Sequence, residues 1–288
     1  MEHIEIGIIG GSGFYNMKNL KNSRTIKVDT PFGQPSEEIM TGELHGRSVA
    51  FISRHGIGHR FNPSEVNYRA NVFALKQLGV EKLISVTAVG SLKEELPPMH
   101  LVIPNQYFDN TFKREKTFFE EGIVGHVSMA DPTCGHLSQL AAGHAKEFGL
   151  DFQLGGTYYN MEGPQFSSKA ESNVYRTLGF DIIGMTQAVE AKLAREAEMC
   201  FLPLAFVTDY DCWHEEEGPV NVETVIEYLN KNVANAVKLI EALCQSIPKE
   251  QTECECADAL KFALMTDPKA YPEETKKTLE PLVRKYIK

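Results

Sequence analysis

Long hydrophobic runs are scarce in this 288-residue chain. The longest nearly apolar stretch, Cys200 to Val207, falls far short of the roughly 20 residues that span a bilayer, which excludes a helical membrane protein. A basic segment followed by a long apolar one is missing behind Met1, where Glu2, Ile4, Glu5 and Ile6 alternate. No secretory signal is expected, and a cytoplasmic location is. Positive charge is also in short supply: Lys and Arg number 29 against 39 Asp and Glu, a formal net charge of −10. That balance disfavours nucleic acid and anionic membrane as partners, yet it leaves room for a local cationic pocket that holds a small anion.

Cysteine is too sparse for a disulfide scaffold, with six in the whole chain, so reduced buried thiols are expected. Cys254 and Cys256 stand one residue apart with no second cysteine pair nearby in the chain. Such spacing predicts neither a metal site nor thioredoxin-type chemistry. Low-complexity tracts and internal repeats are absent too. What is present, 42% hydrophobic and 24% charged residues, suffices for a large buried core and excludes disorder.

Short apolar runs alternate with helical patterns, the mark of an α/β domain with a mostly parallel sheet flanked by helices. Strands are expected over 4–10, 48–53, 82–86, 101–104, 155–160, 182–185 and 202–208, and helices over 64–78, 134–148, 189–200 and 222–243. Gly79 stands where the first helix should stop, and Ser168 with Glu171 spells a capping box ahead of a further one. One α/β domain is thus expected over 1–250. From 251 to 288 follows a Pro-containing, charge-balanced extension, in which Leu279, Leu282, Val283 and Ile287 suggest a short amphipathic helix packed on the body or on a partner subunit.

Open α/β sheets bind ligands beyond the carboxyl ends of their strands, so the residues that follow each strand are the candidates. They are Gly10, Gly11, Ser12 and Gly13; Arg54 and His55; Thr87, Ala88 and Gly90; Met185 and Thr186; Asp209 and Asp211. The first loop lacks the third glycine of a dinucleotide fingerprint, and no GK[ST] supports a P-loop. It can still offer backbone N–H groups and the Ser12 hydroxyl to an oxyanion. Arg54 adds a donor fork, His55 and His59 add adjustable donors, and Thr87 with Thr186 adds hydroxyls, which together describe a cradle for free phosphate. Asp209 and Asp211, at i and i+2, end the most apolar strand. Carboxyls in that position need partners, and a purine edge, with an exocyclic amine and a protonatable N7, is one.

The stretches GIIGGSGFY (7–15), DTPFGQPS (29–36), SRHGIGH (53–59), NPSEVNYRAN (62–71), VTAVGSL (86–92), MEGPQFSSKAES (161–172), GMT (184–186) and VTDYDCW (207–213) in combination resemble the 5′-methylthioadenosine phosphorylases of the trimeric purine nucleoside phosphorylase family. The resemblance covers about Ile6 to Leu243. It implies a single domain with a twisted, mixed, mostly parallel sheet, and phosphorolysis of 5′-methylthioadenosine to adenine and 5-methylthioribose 1-phosphate. Inorganic phosphate would be the nucleophile, with no covalent enzyme intermediate, metal or other cofactor.

Phosphate contacts then fall on Ser12, Arg54, His55, Thr87, Ala88 and Thr186. The ribose contact falls on Met185, and the base pocket on Phe166, Ser167, Asp209 and Asp211. Asp209 is the candidate acid for N7, and Asp211 would hold or tune the amino edge. Val222 and Val225 fit an apolar 5′ substituent. The resemblance also implies a homotrimer or dimer of trimers in which His126 reaches in from a neighbouring subunit. Gln187, Ala188 and Val189 depart from the family pattern, which predicts a reshaped ribose edge and keeps open a general purine nucleoside phosphorylase; a nucleoside-binding module without turnover is a further alternative.

Overall fold

The computed structural model describes residues 3–11, 17, 19–215, 222–250 and 254–287. In chain order the strands are β1 (Ile6–Gly10), β2 (Lys21–Ile26), β3 (Ile39–Leu44), β4 (Arg47–Ser53), β5 (Lys82–Ser91), β6 (Leu101–Ile103), β7 (Gln106–Asp109), β8 (Phe152–Leu154), β9 (Thr157–Asn160), β10 (Ile182–Gly184) and β11 (Cys200–Asp209). The helices are α1 (Tyr68–Gln77), α2 (Gly135–Glu147), α3 (Lys169–Thr177), α4 (Gln187–Glu196), α5 (Val222–Ser246), α6 (Glu273–Thr278) and α7 (Glu280–Val283).

Strand alternation decides which core each side chain enters. Ile6 and Ile8 of β1, Val49 and Phe51 of β4, and Leu202, Leu204 and Phe206 of β11 pack with Leu137 and Ala141 of α2 and Leu239, Ile240 and Leu243 of α5. Ile9, Ala50, Ile52 and Phe201 face the other way, onto Val72, Phe73 and Leu75 of α1 and Val189 and Leu193 of α4. Because both faces are covered, these strands read as continuous apolar runs. Leu260, Ala263, Tyr271, Leu279, Leu282 and Val283 are buried in the α1/α4 layer, so the apolar face of the C-terminal residues packs on the body of this chain. The helix expected around Leu279 is two short ones, with Pro281 in the first turn of α7.

All strands belong to one mixed sheet in which β1 runs parallel to β4 and β5, and β11 parallel to β5. On one edge of β5, β1 pairs with Lys82 to Ser85, while the antiparallel β10 pairs with Gly90 and Ser91. Between them, residues 86–89 have no strand neighbour on that edge among the described residues, while β11 covers the opposite edge as far as Gly90. This gap, where the strand order switches, is the kind of crevice in which α/β sheets bind ligands.

Several expected boundaries move. β5 continues to Ser91 rather than stopping at Val86, because its second half pairs with β11 and β10. α1 begins at Tyr68 instead of Ser64: the Asn62 side chain takes the N–H groups of Ser64 and Glu65, and Asn67 caps the helix through Ala70. The Gly79 stop holds, at φ +95° with its N–H donated to Lys76, and α3 carries the complete Ser168–Glu171 capping box.

Candidate active site

The unpaired edge of β5 is occupied by a buried ion pair. Arg54, at the end of β4, is 3% exposed. Its Nε donates to Glu190 Oε1 at 2.5 Å, and its Nη2 to Glu190 Oε2 at 3.0 Å and Ser85 Oγ at 2.9 Å. Its Nη1 donates to the Val86 carbonyl at 3.0 Å. Burial alone would lower the guanidinium pKa, but the facing Glu190 carboxylate overrides it and raises it. The donor fork is therefore largely committed inside the protein, and among the described residues one Nη1 hydrogen is left for a ligand.

Gln187 joins the same network, with Nε2 2.8 Å from the Ser85 carbonyl oxygen and 3.0 Å from its Oγ. Gln187, Ala188 and Val189 are all buried in the first turn of α4. They pack beneath the site, because the helix starts two residues earlier than its apolar pattern suggests.

Thr186 is the N-cap residue of α4, with its Oγ1 buried and without a hydrogen-bond partner among the described residues. The Ala188 N–H of the first turn is taken by Asn160 Oδ1 at 3.0 Å, so the Thr186 hydroxyl, buried at the positive end of the helix, is the group there that suits an oxyanion. The β10 glycine below lets Tyr158 pack close under this turn: a Cβ on Gly184 would fall 2.0 Å from the Tyr158 hydroxyl. Thr87 and Ala88, half-buried, lie on the unpaired edge itself. His55 donates Nδ1–H to the Phe61 carbonyl at 2.9 Å and stacks on His59 at 4.3 Å. Burial and the Arg54 charge push its pKa down to about 3. A neutral ring bonded this way presents Nε2 as an acceptor, which corrects the expectation of an adjustable donor and suits a phosphate that carries a proton. Ser12 lies outside the described residues.

Asp209 closes the other end of the gap. Its Oδ1 accepts the Asp211 N–H at 2.8 Å and its Oδ2 the Thr208 hydroxyl at 2.8 Å. No cation faces it among the described residues. Burial pushes its carboxyl up to about 6, with the Asp211 charge adding to the rise. Space comes from Gly90, where a Cβ would stand 2.9 Å from Asp209 Oδ1. Asp211 holds a left-handed backbone at φ +52°, and burial raises its carboxyl as well, against the pull of Ser172 and Ser167 nearby. The Cys212 thiol donates to the Ser167 carbonyl at 3.2 Å, tying this turn to the segment that carries Phe166, which is 48% exposed.

A second ion pair, which the motif reading did not single out, supports Met185. Arg114 donates to the Met185 carbonyl and, from Nη1, to the Tyr68 hydroxyl at 3.2 Å; its Nη2 donates to the Glu162 carbonyl at 2.6 Å. The Glu162 carboxylate in turn accepts the Phe112 N–H at 2.7 Å and the Ser64 hydroxyl. Glu162 sits inside one of the quoted motifs, so a signal existed; Arg114 and Glu190 carry none. Val222 is 61% exposed and Val225 half-buried, at the start of α5, which Asn232 ties to the Val207 carbonyl at 3.2 Å. His126 lies apart from all of these, with its N–H on the Ala263 carbonyl at 2.8 Å.

A profile of the Phosphorylase superfamily matches residues 5–245. The chain belongs to that superfamily. Among curated relatives of this phosphorylase-superfamily chain, the S-methyl-5′-thioadenosine phosphorylase of Geobacter sulfurreducens is 50% identical over 288 residues, covering 100% of both chains. A methylthioadenosine phosphorylase crystal structure from an antarctic soil metagenomic library superposes with a TM-score of 0.92 at 48% identity, covering 98% of this chain and 99% of that one. The methylthioadenosine phosphorylase from Schistosoma mansoni in complex with adenine superposes with a TM-score of 0.83 at 35% identity, covering 90% and 96%.

Proposed function

We propose that this superfamily member cleaves 5′-methylthioadenosine with inorganic phosphate, yielding adenine and 5-methylthioribose 1-phosphate. The observation that carries the reading is Asp209, a half-buried carboxyl with no facing cation among the described residues and a pKa raised to about 6 by desolvation. Such a group can lend a proton near neutrality. Phosphate, held by Thr186, the Thr87–Ala88 edge, His55 and the remaining Arg54 hydrogen, attacks C1′ of the sugar. The bond from C1′ to N9 breaks, its electron pair passes into the purine, and Asp209 gives its proton to N7, so adenine leaves neutral. Water restores the proton. Rate then depends on stabilising negative charge on the base and positive charge on the sugar together.

Asp rather than an amide at this position favours a 6-amino purine over a 6-oxo one, and mispairing a buried polar edge costs about 1–3 kcal/mol. Asp211 steadies the amino edge, Met185 underlies the ribose, Phe166 and Ser167 border the base, and the exposed Val222 with Val225 covers the methylthio group. His126, remote from its own chain's site, fits the role of a residue supplied to a neighbour in a homotrimer. A cytoplasmic location agrees with the lack, among the described residues, of any helix long and apolar enough to cross a membrane.

The test is release of adenine from methylthioadenosine, with and without phosphate. No phosphate-dependent release overturns the reading. Faster release of hypoxanthine from inosine replaces it with a general purine nucleoside phosphorylase, and stoichiometric binding without turnover in arsenate reduces the protein to a binding module.

A further inference from the structure

Four of the six cysteines take no part in the nucleoside site. Cys134 is the N-cap of α2, Cys200 opens β11, and Cys254 and Cys256 flank the start of the 3-10 turn Glu255–Asp258. Along the sequence Cys254 and Cys256 form a pair without a second pair at hand. The fold supplies one: strand alternation sends Cys200 into the α2/α5 layer, where Cys134 and Cys256 are buried and Cys254 packs against them. All four Sγ atoms lie within 4.8 Å of one another, with Cys200 and Cys254 at 3.2 Å.

We propose that Cys134, Cys200, Cys254 and Cys256 form a closed, structural four-thiolate site for one zinc ion. A tetrahedral zinc with bonds of about 2.3 Å sets its sulfurs about 3.8 Å apart, a spacing that the 3.2 Å and 4.8 Å limits bracket. Iron–sulfur clusters place their cysteines on different metal atoms and need wider spacing. An all-sulfur set excludes magnesium and calcium, and four ligands at tetrahedral spacing favour zinc among the thiophilic ions.

On binding, each thiol releases its proton to solvent and forms one sulfur–zinc bond, with no change of oxidation state. The resulting charge of minus two is offset by Arg195, whose Nη1 stands 3.9 Å from Cys256 Sγ, and by the α2 N-terminus, which has no side-chain cap. A cavity of about 610 Å³ lined by Arg195, Lys261 and His126 opens onto Cys134, Cys254 and Cys256 and gives the ion an entry path. Four protein ligands leave no open position for substrate. Cys200 and Asp209 end the same ten-residue strand, about 30 Å apart at roughly 3.3 Å per residue. The ion therefore clips the segment from Cys254 onward to α2 and β11.

The full chain, purified without chelator, is assayed for metal by mass spectrometry and for thiols by intact mass in denaturant. The expected result is about one zinc per chain and a fully reduced mass after metal removal. Cobalt added to the stripped, reduced protein should give the visible bands of tetrahedral thiolate coordination. Cys254→Ser, at a half-buried position, should weaken zinc binding more than about 100-fold, beyond the cost of losing an outer-sphere partner alone; Cys244→Ala, outside the cluster, should leave zinc content unchanged. Lack of zinc and cobalt uptake by the reduced wild-type chain overturns the proposal, as does a mass short by two or four hydrogens, which marks disulfides. Full zinc content in Cys254→Ser overturns it too.

Discussion

Two acids flank the gap along β5, Glu190 buried and Asp209 half-buried, and their surroundings differ in kind. Glu190 receives three hydrogen bonds, two from the Arg54 guanidinium and one from the Ser85 hydroxyl at 2.6 Å. Asp209 receives one from a neighbouring backbone N–H and one from Thr208, and none from a cation among the described residues. The first acid is spent on holding β4, β5 and α4 together. The second is desolvated without that compensation, and its proton becomes available for chemistry.

The largest effect expected from breaking this contrast is on rate. Asp209→Asn should lower phosphorolysis by about 100- to 10,000-fold, the usual worth of a placed general acid, while thermal unfolding at pH 8 shows a midpoint no lower than that of the wild type. The stability sign follows from the raised carboxyl: its contribution is full below the unfolded value near 4 and is lost as pH rises through about 6. At pH 8 the side chain is therefore an expense that the amide avoids. Unchanged kinetics in the variant would remove Asp209 from the mechanism.

Arg54→Ala should act the opposite way. Leaving Glu190 buried without its cation costs about 3–5 kcal/mol, to be read from urea unfolding, so a general loss of folded protein is expected rather than a selective loss of phosphate use. A variant of wild-type stability whose phosphate KM alone rises would show that the ion pair is dispensable to the fold. Thr186→Val isolates the anion contact, because its hydroxyl has no hydrogen-bond partner among the described residues. Losing one hydrogen bond to a charged group, about 1.5–3 kcal/mol, should raise the phosphate KM about 10- to 100-fold with little change in melting. An unchanged KM would place phosphate elsewhere.

The smallest effect is on the pH profile. At saturating phosphate, kcat/KM for the nucleoside should fall as pH rises past about 6 and Asp209 loses its proton. His55, held at about 3, should add no limb between pH 5 and 8. A second ionisation in that window that disappears in His55→Gln would contradict the neutral ring.

The strands that flank the gap were legible because burial on both faces writes an uninterrupted apolar run, as in Ile6–Gly10 and Cys200–Val207. β2 was not: its six residues are exposed or half-buried at the sheet edge, so no alternation records it. β7 and β8 contain no buried residue, so no apolar run marks them, whereas the equally short β6 and β10 are mostly buried. The second half of β5 reads as a turn, through Thr87, Ala88 and Gly90, and becomes strand only when β11 and β10 dock on it. Among site groups, those following strand ends could be named in advance. Their supports could not: Glu190 lies 136 residues from Arg54 and Glu162 48 from Arg114, separations at which no local periodicity operates.

The amino-acid order by itself determined the α/β alternation, the two-sided burial of the central strands and the polar residues placed just beyond them, because these depend on short-range periodicity and on what each residue type can bury. Only the tertiary structure decided that the Arg54 fork is spent on Glu190, that His55 presents an acceptor, that Gln187 lies beneath the site, and that four cysteines meet. Those outcomes depend on which distant groups share a desolvated space, since a partner's charge and the exclusion of water set what a buried side chain can do.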